Sequence, residues 1–182
     1  FAGYRFFRFR EALAIDEQLL GAVSVSDKFV TENDFHGIDL GATFGFGYAA
    51  WLLDVTTRVA VGGVCEQLTI QGSTALGEAV QTGGWLAAPS NIGSYTEHTF
   101  AAIPELDLRF SYVAFDSIRL SVGYDVLFVT NATRVGTSID TTLNPDQLAP
   151  LPVARGEGSP SAAARPSPRL HDRVLWLQGI SV

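Results

Sequence analysis

Charged side chains recur at every second position in several stretches of this sequence. In PELDLRFSY (residues 104–112), Glu105, Asp107, Arg109 and Ser111 alternate with Leu106, Leu108, Phe110 and Tyr112. The same spacing places Asp39 between Ile38 and Leu40, Asp54 and Arg58 opposite Leu53, Val55 and Val59, and Arg119 and Asp125 opposite Leu120 and Val126. Near the start, Arg5, Arg8 and Arg10 interleave with Tyr4, Phe6, Phe7 and Phe9. Guanidinium and carboxylate groups gathered on one face can pair across neighbouring strands and fill the space between them. They can also flank a watery path and bias the charge of what passes along it. The pattern leaves both open. The residues expected to line such a lumen are Arg8, Arg10, Asp39, Asp54, Arg58, Glu105, Asp107, Arg109, Arg119 and Asp125, with Arg5 on the same polar face.

Other chemistry has little support. His36, His98 and His171 lack the spacing of a zinc site. Nothing singles out a nucleophile among the many Ser, Asp and Glu residues, so no catalytic residue, metal or cofactor is expected, and the chain does not read as an enzyme. GFGYAA (residues 45–50) matches the dinucleotide fingerprint G-x-G-x-x-A, but that motif needs a following helix, and here an alternating strand follows. The match therefore reads as a hairpin turn. Asn131-Ala132-Thr133 is a formal glycosylation triplet of the kind that occurs by chance. A net charge of −7 and a pI near 4.8 argue against a nucleic-acid partner, whose phosphates need a basic surface. Cys65 is the single cysteine, so there is no internal disulfide.

A period of two is the strand signature, because successive side chains point to opposite faces of a sheet. Six segments carry it: Tyr4 to Ile15, His36 to Phe46, Trp51 to Val64, the stretch ending at Tyr112, Ile118 to Asn131, and Val174 to Val182. The Phe6-Phe7 doublet breaks parity and suggests a bulge. No segment shows a 3.6-residue apolar stripe of helical length, so the fold class is all-β. Hydrophobic residues make up 47% and mean hydropathy is +0.19. No apolar run approaches the roughly 20 residues of a spanning helix, which excludes a helical membrane protein but not a membrane β-barrel. The absence of Met and of a signal pattern reads as a mature piece or an internal fragment.

The connections fall into two classes. Short ones lie at Gly47 to Ala50 and Val113 to Ser117; long ones at Asp16 to Asp34, Cys65 to Thr99 and Ala132 to Arg173. Up-and-down outer-membrane barrels have this asymmetry. The last connection holds a Pro/Ser/Ala-rich run, residues 154–170, expected to be a disordered extracellular loop. Phe44, Phe46, Tyr48 and Trp51 gather at the first short turn, and Phe110, Tyr112 and Phe115 at the second. Rings at one level of the strand ends are expected to form a membrane-interface girdle.

GYRFFRF, DFHGIDLGATF, IQGST, GGWLAAPSNIGSY, FAAIPELDLRFSY, LSVGYDVLFVTNATRVGTSID, NPDQL and WLQGISV follow one another in an order that resembles the bacterial putative β-barrel porin family of large outer-membrane proteins. The resemblance covers nearly the whole chain. It implies an antiparallel up-and-down transmembrane β-barrel in the bacterial outer membrane, with residues 1–182 as one C-terminal portion of about six strands. Family members are longer at the N-terminus and end in a further half-strand closing on an aromatic residue. The family supplies no catalytic residues. Partners on this reading are outer-membrane lipid and small polar solutes, with the oligomeric state open.

Three functions remain in view. The first is a porin-like barrel passing small polar solutes through a charged lumen. The second is a non-conducting outer-membrane barrel acting as an anchor or surface scaffold through its long loops. The third is a soluble lipocalin-like or β-sandwich binder, which uses the same period with the faces exchanged.

Overall fold

The computed structural model describes residues 1–19, 23–114, 118–142 and 165–182. They form seven strands, β1 (Ala2–Leu19), β2 (Val23–Tyr48), β3 (Trp51–Leu76), β4 (Ala79–Thr82), β5 (Gly93–Ala114), β6 (Ile118–Thr133) and β7 (Asp172–Ser181), with one helical turn, α1 (Val135–Ser138). Six strands follow each other in chain order, β1-β2-β3-β5-β6-β7, every neighbouring pair antiparallel, and β4 pairs back onto the far end of β3. The chain is all-β, an up-and-down antiparallel sheet curled into a half-barrel.

Side-chain contacts between strands that are not neighbours identify the concave face. The Arg5 Nη2 of β1 reaches Glu105 Oε2 of β5 at 2.6 Å, and Asn33 Nδ2 of β2 donates to the Thr133 carbonyl of β6 at 3.0 Å. Parity then runs through the register. Odd residues of β1, β2, β5 and, as far as Val129, β6 share the concave face with even residues of β3.

Three expectations are corrected here. The acidic stretch Asp16 to Asp34 is not a long loop. β1 and β2 pair without interruption up to Leu19↔Val23, leaving only residues 20–22 between them. Period two continues through that stretch, with Val25, Asp27, Phe29, Thr31, Asn33 and Phe35 all buried on the concave face. Its polar residues obscured the alternation without breaking it. Nor is there a bulge at Phe6-Phe7, since the β1–β2 register is unbroken; the irregularity lies between Val129 and Ala132 of β6. The connection predicted from Cys65 to Thr99 shrinks to residues 77–92, because β3 runs on to Leu76 and β5 starts at Gly93.

β2 and β3 are 26 residues long, and their polarity inverts partway along. Near the short turns the convex face is apolar. It exposes Ile38, Leu40, Phe44 and Phe46 on β2, Leu53, Val59 and Val61 on β3, and Leu120 and Val122 on β6. Toward the other end the convex face carries Ser24, Ser26, Lys28, Glu32 and Asp34 on β2 and Cys65, Gln67, Thr69 and Gln71 on β3. There the concave face holds the core. Phe35, Ala60, Val64, Ala101, Ile103, Val129, Ala132 and Leu175 form one cluster with Phe7, Phe9 and Leu127 against it. Phe29, Leu68, Ile70, Ala87 and Val135 form a second. Each fully buried Phe, Leu or Ile contributes about 1.5–3 kcal/mol relative to exposure.

The inversion passes through a close approach of β2 and β3. A Cβ on Gly62 would overlap the His36 carbonyl oxygen and the Gly37 Cα, whereas one on Gly63 meets nothing nearer than the Thr99 carbonyl at 4.0 Å. Gly62→Ala is expected to destabilise the fold by about 1–3 kcal/mol, as overpacking does, and Gly63→Ala by no more than about 0.5 kcal/mol. Urea unfolding in lipid vesicles followed by Trp fluorescence measures both, and equal midpoints would refute the close-approach account.

Candidate pore lining

Pairing of β2, β3, β5 and β6 stacks the concave charges in rungs below the apolar clusters. Arg58 stands opposite Glu105, Asp54 opposite Arg109, and Asp107 opposite both Thr56 and Asp125. Arg5 sits between two carboxylates, 2.6 Å from Glu105 and 3.9 Å from Asp39. All three side chains are less than a quarter exposed, so this ion pair is shielded from water and salt in a way that surface pairs are not. The Arg58 guanidinium lies 5.1 Å from the Phe1 ring centroid. Arg119 follows the same parity, opposite Val113.

Of the residues expected at the lumen, Asp39, Asp54, Arg58, Glu105, Asp107, Arg109, Arg119 and Asp125 thus share one concave face. Arg8 and Arg10 do not. Their even positions on β1 put them on the convex face with Tyr4 and Phe6. With no bulge to shift parity, Phe7 and Phe9 turn inward instead and pack on the first apolar cluster. Arg8 donates to both Asp34 oxygens at 2.6 Å and lies 3.6 Å from Glu32, which Arg10 approaches at 3.8 Å. The Arg8 guanidinium holds the Asp34 carboxyl below its ordinary range.

Phe44, Phe46, Tyr48, Trp51, Phe110 and Tyr112 are exposed on the convex face beside the short turns. Trp51 stacks on Phe110 at 5.0 Å and tilts over Tyr112 at 4.5 Å between centroids. Phe115 lies outside the described residues. A second tier of rings, Tyr4, Phe6, Phe100, Phe128 and Trp176, stands at the opposite edge of the apolar band, and sequence reasoning missed it. Its signal was its distance from the first, since Phe100 and Phe128 each fall about one membrane-strand length from Tyr112 and Ile118. His36 hydrogen-bonds the Tyr4 hydroxyl at that edge, its ring 5.0 Å from Phe6.

Above the charges, polar anchors on inward positions draw the loops over the concave face. Asp27 accepts the amides of Trp85, Leu86 and Ala87 at 3.0–3.1 Å. Glu66, fully buried, accepts the hydroxyls of Thr99 and Thr133. Glu11 takes both the Nε and the Nη2 of Arg134 and the amide of Val135, tying β1 to the end of β6, and this pairing holds its carboxyl below the usual range. Asp140 accepts from Arg165, Ser167 and Thr142, with Arg169 at 3.4 Å. Of the loop expected to be disordered, residues 154–164 lie outside the described residues, while 165–170 are fastened here. Asp27 and Glu66 were legible as polar interruptions in an apolar inward row, had the alternation been followed past the expected strand ends.

GFGYAA runs from β2 into the tight turn at Ala49, whose φ is 53°, and β3 follows directly. His98 lies on the convex face of β5 and His171 just before β7, apart from His36. Asn131 donates to the Phe100 carbonyl at 2.7 Å. Among the described residues, no three His, Cys, Asp or Glu gather where they could hold a metal ion.

A family model described as putative beta barrel porin-7 matches residues 1–182. No curated protein and no solved structure matches the chain.

Burial pushes the Asp140 carboxyl up, but the Ser167 amide, the Arg165 guanidinium and Thr142 outweigh it and hold the group well below the usual carboxylate range. A depressed folded-state value means that this stabilisation is complete above the ordinary carboxylate pKa and is lost as pH falls below it toward the folded value. Hydrogen exchange at the Ser167 amide is therefore expected to lose protection on going from pH 7 to strongly acidic solution. In Asp140→Asn that protection should be weak at both; protection that ignores both pH and the substitution would refute the clasp.

Proposed function

The chain belongs to the putative beta barrel porin-7 family, and from that premise we propose that it forms part of an outer-membrane barrel passing small polar solutes along its charged concave face. The observation that carries this reading is the apolar convex band between the two tiers of rings. On β2 it runs from Ile38 to Tyr48 and on β3 from Trp51 to Val61. About 11 residues at roughly 3.3 Å each, tilted near 45°, give a height of about 25 Å, which is the apolar band of an outer-membrane barrel. Behind that band the concave face is polar, so lipid covers one side of the wall and water the other. A soluble binder would place its apolar face inside along the full length of each strand, and these strands do so only beyond the band.

Along the membrane span, Arg5, Arg58, Arg109 and Arg119 face Asp39, Asp54, Glu105, Asp107 and Asp125. Charge is nearly balanced, which suits small polar solutes of either sign with a slight preference for cations. Single-channel recording of the full-length protein in planar bilayers is expected to show conductance with mild cation selectivity. Replacing Asp107 and Asp125 together by Asn should shift the reversal potential toward anions. An unchanged reversal potential would remove these carboxylates from the path.

One observation favours a second reading, a non-conducting barrel. The first apolar cluster draws residues from all six main strands and sits across the concave face above the charges. On this reading wild-type barrels carry no current, and Phe35→Ala with Ile103→Ala opens one. Current in the wild type would dismiss it.

A further inference from the structure

Tyr124 and Gln178 break the rule that the rest of the band obeys. Tyr124 lies midway along the Ile118–Phe128 span of β6, on the convex face, and β7 brings Gln178 beside it opposite Val126. The Tyr124 hydroxyl donates to Gln178 Oε1 at 2.7 Å. Every other convex position of the band is apolar, aromatic or, at Thr57, a small hydroxyl, and Gln178 is the one primary amide among the described residues there.

A hydroxyl at mid-bilayer is tolerable once it is bonded, and Tyr124 is. The amide is not fully provided for. Its nitrogen carries two donors and has no hydrogen-bond partner among the described residues, and acyl chains contain no acceptor. Beside the pair lies an apolar groove of about 330 Å³, lined by Leu53, Leu108, Phe110, Val122 and Ile180. A groove of that lining accepts hydrocarbon, but only another polar group answers the amide.

A primary amide is its own complement. With one lone pair of Oε1 taken by Tyr124, it still offers two N–H donors and one acceptor site. Two such groups facing each other across a two-fold axis donate reciprocally, so that each gains a partner for one N–H and for its free acceptor site. Two-fold contacts are the commonest way for a chain to meet its own copy, and polar side chains hold membrane-embedded segments together where apolar area alone gives no drive.

We propose that the convex face of β6 and β7 is the contact between two copies of this protein within the bilayer, with their Gln178 amides paired and a side chain of each seated in the other's groove. The inference rests on the reading of the band as lipid-facing, and its test separates the two. In full-length protein lacking Cys65 (Cys65→Ser), single cysteines are placed at Gln178, Leu40 and Val59 and the protein is kept in its native membrane. Protection of Leu40→Cys and Val59→Cys from a water-soluble maleimide checks the band; labelling of both would overturn that reading itself. Oxidation by copper phenanthroline checks the contact. Gln178→Cys is expected to give a dimer-sized product at least several-fold above the two other positions. A yield no higher than theirs would overturn the proposal and leave lipid, or another strand of the same chain, against β7. Independently, Gln178→Leu is expected to lower the dimer fraction in native mass spectrometry about tenfold while the barrel stays folded. A dimer fraction that is unchanged, or a wild type that is wholly monomeric, would equally overturn it.

Discussion

A β-strand cannot choose its side-chain directions residue by residue. The pleat sends every second side chain to the same face for as long as the strand continues. β2 and β3 keep that geometry for 26 residues, more than twice the length a bilayer requires. The convex residues change from apolar to polar along that length, but the backbone geometry does not. The only means of adapting is to exchange which face carries the apolar residues. That exchange takes place near Gly37 and Gly62, and the positions of the charges, the core and the loops all depend on it.

Below the exchange, polar groups face one another across the curved sheet, and above it apolar groups do. The contact between Arg5 and Glu105 shows how tightly the sheet is curled, since it joins β1 to β5 past two intervening strands. The same curvature lets Phe7 and Phe9 of β1 reach a cluster that includes Val129 and Leu175. The concave face thus carries an apolar collar above a charged zone. The loops reinforce it through buried carboxylates. Asp27 supplies acceptors to three loop amides, of which the buried Ala87 N–H would cost about 1–3 kcal/mol if left without a partner.

Much of this was legible from residue order. Alternation placed six strands and the band residues from Ile38 to Phe46 and from Trp51 to Val61, while the connection lengths and the family resemblance pointed to their antiparallel order. It also put Asp39, Asp54, Arg58, Glu105, Asp107, Arg109, Arg119 and Asp125 on one face. It failed where polarity ceased to report direction. Arg8 and Arg10 were assigned inward because they are charged, yet above the band charge belongs outside, and Phe7 and Phe9 take the inward places. The stretch from Asp16 to Asp34 looked like a loop for the same reason. Its convex residues are as polar as loop residues because they too face water, and Asp27 and Asn33 interrupt the apolar inward row with anchors whose partners, at 85–87 and 133, are far away in sequence.

The sequence by itself determined the period of two, and with it which residues share a face within each strand; its connection lengths and ordered motifs indicated the antiparallel order and the match to a barrel family. Parity is a local property of the backbone and needs no partner to be read. Only the tertiary structure decided which face is concave, where along the strands the faces exchange, and which distant carboxylates hold the loops. These depend on curvature and on contacts between strands separated by tens of residues, and a period of two is the same whichever side of the sheet meets lipid.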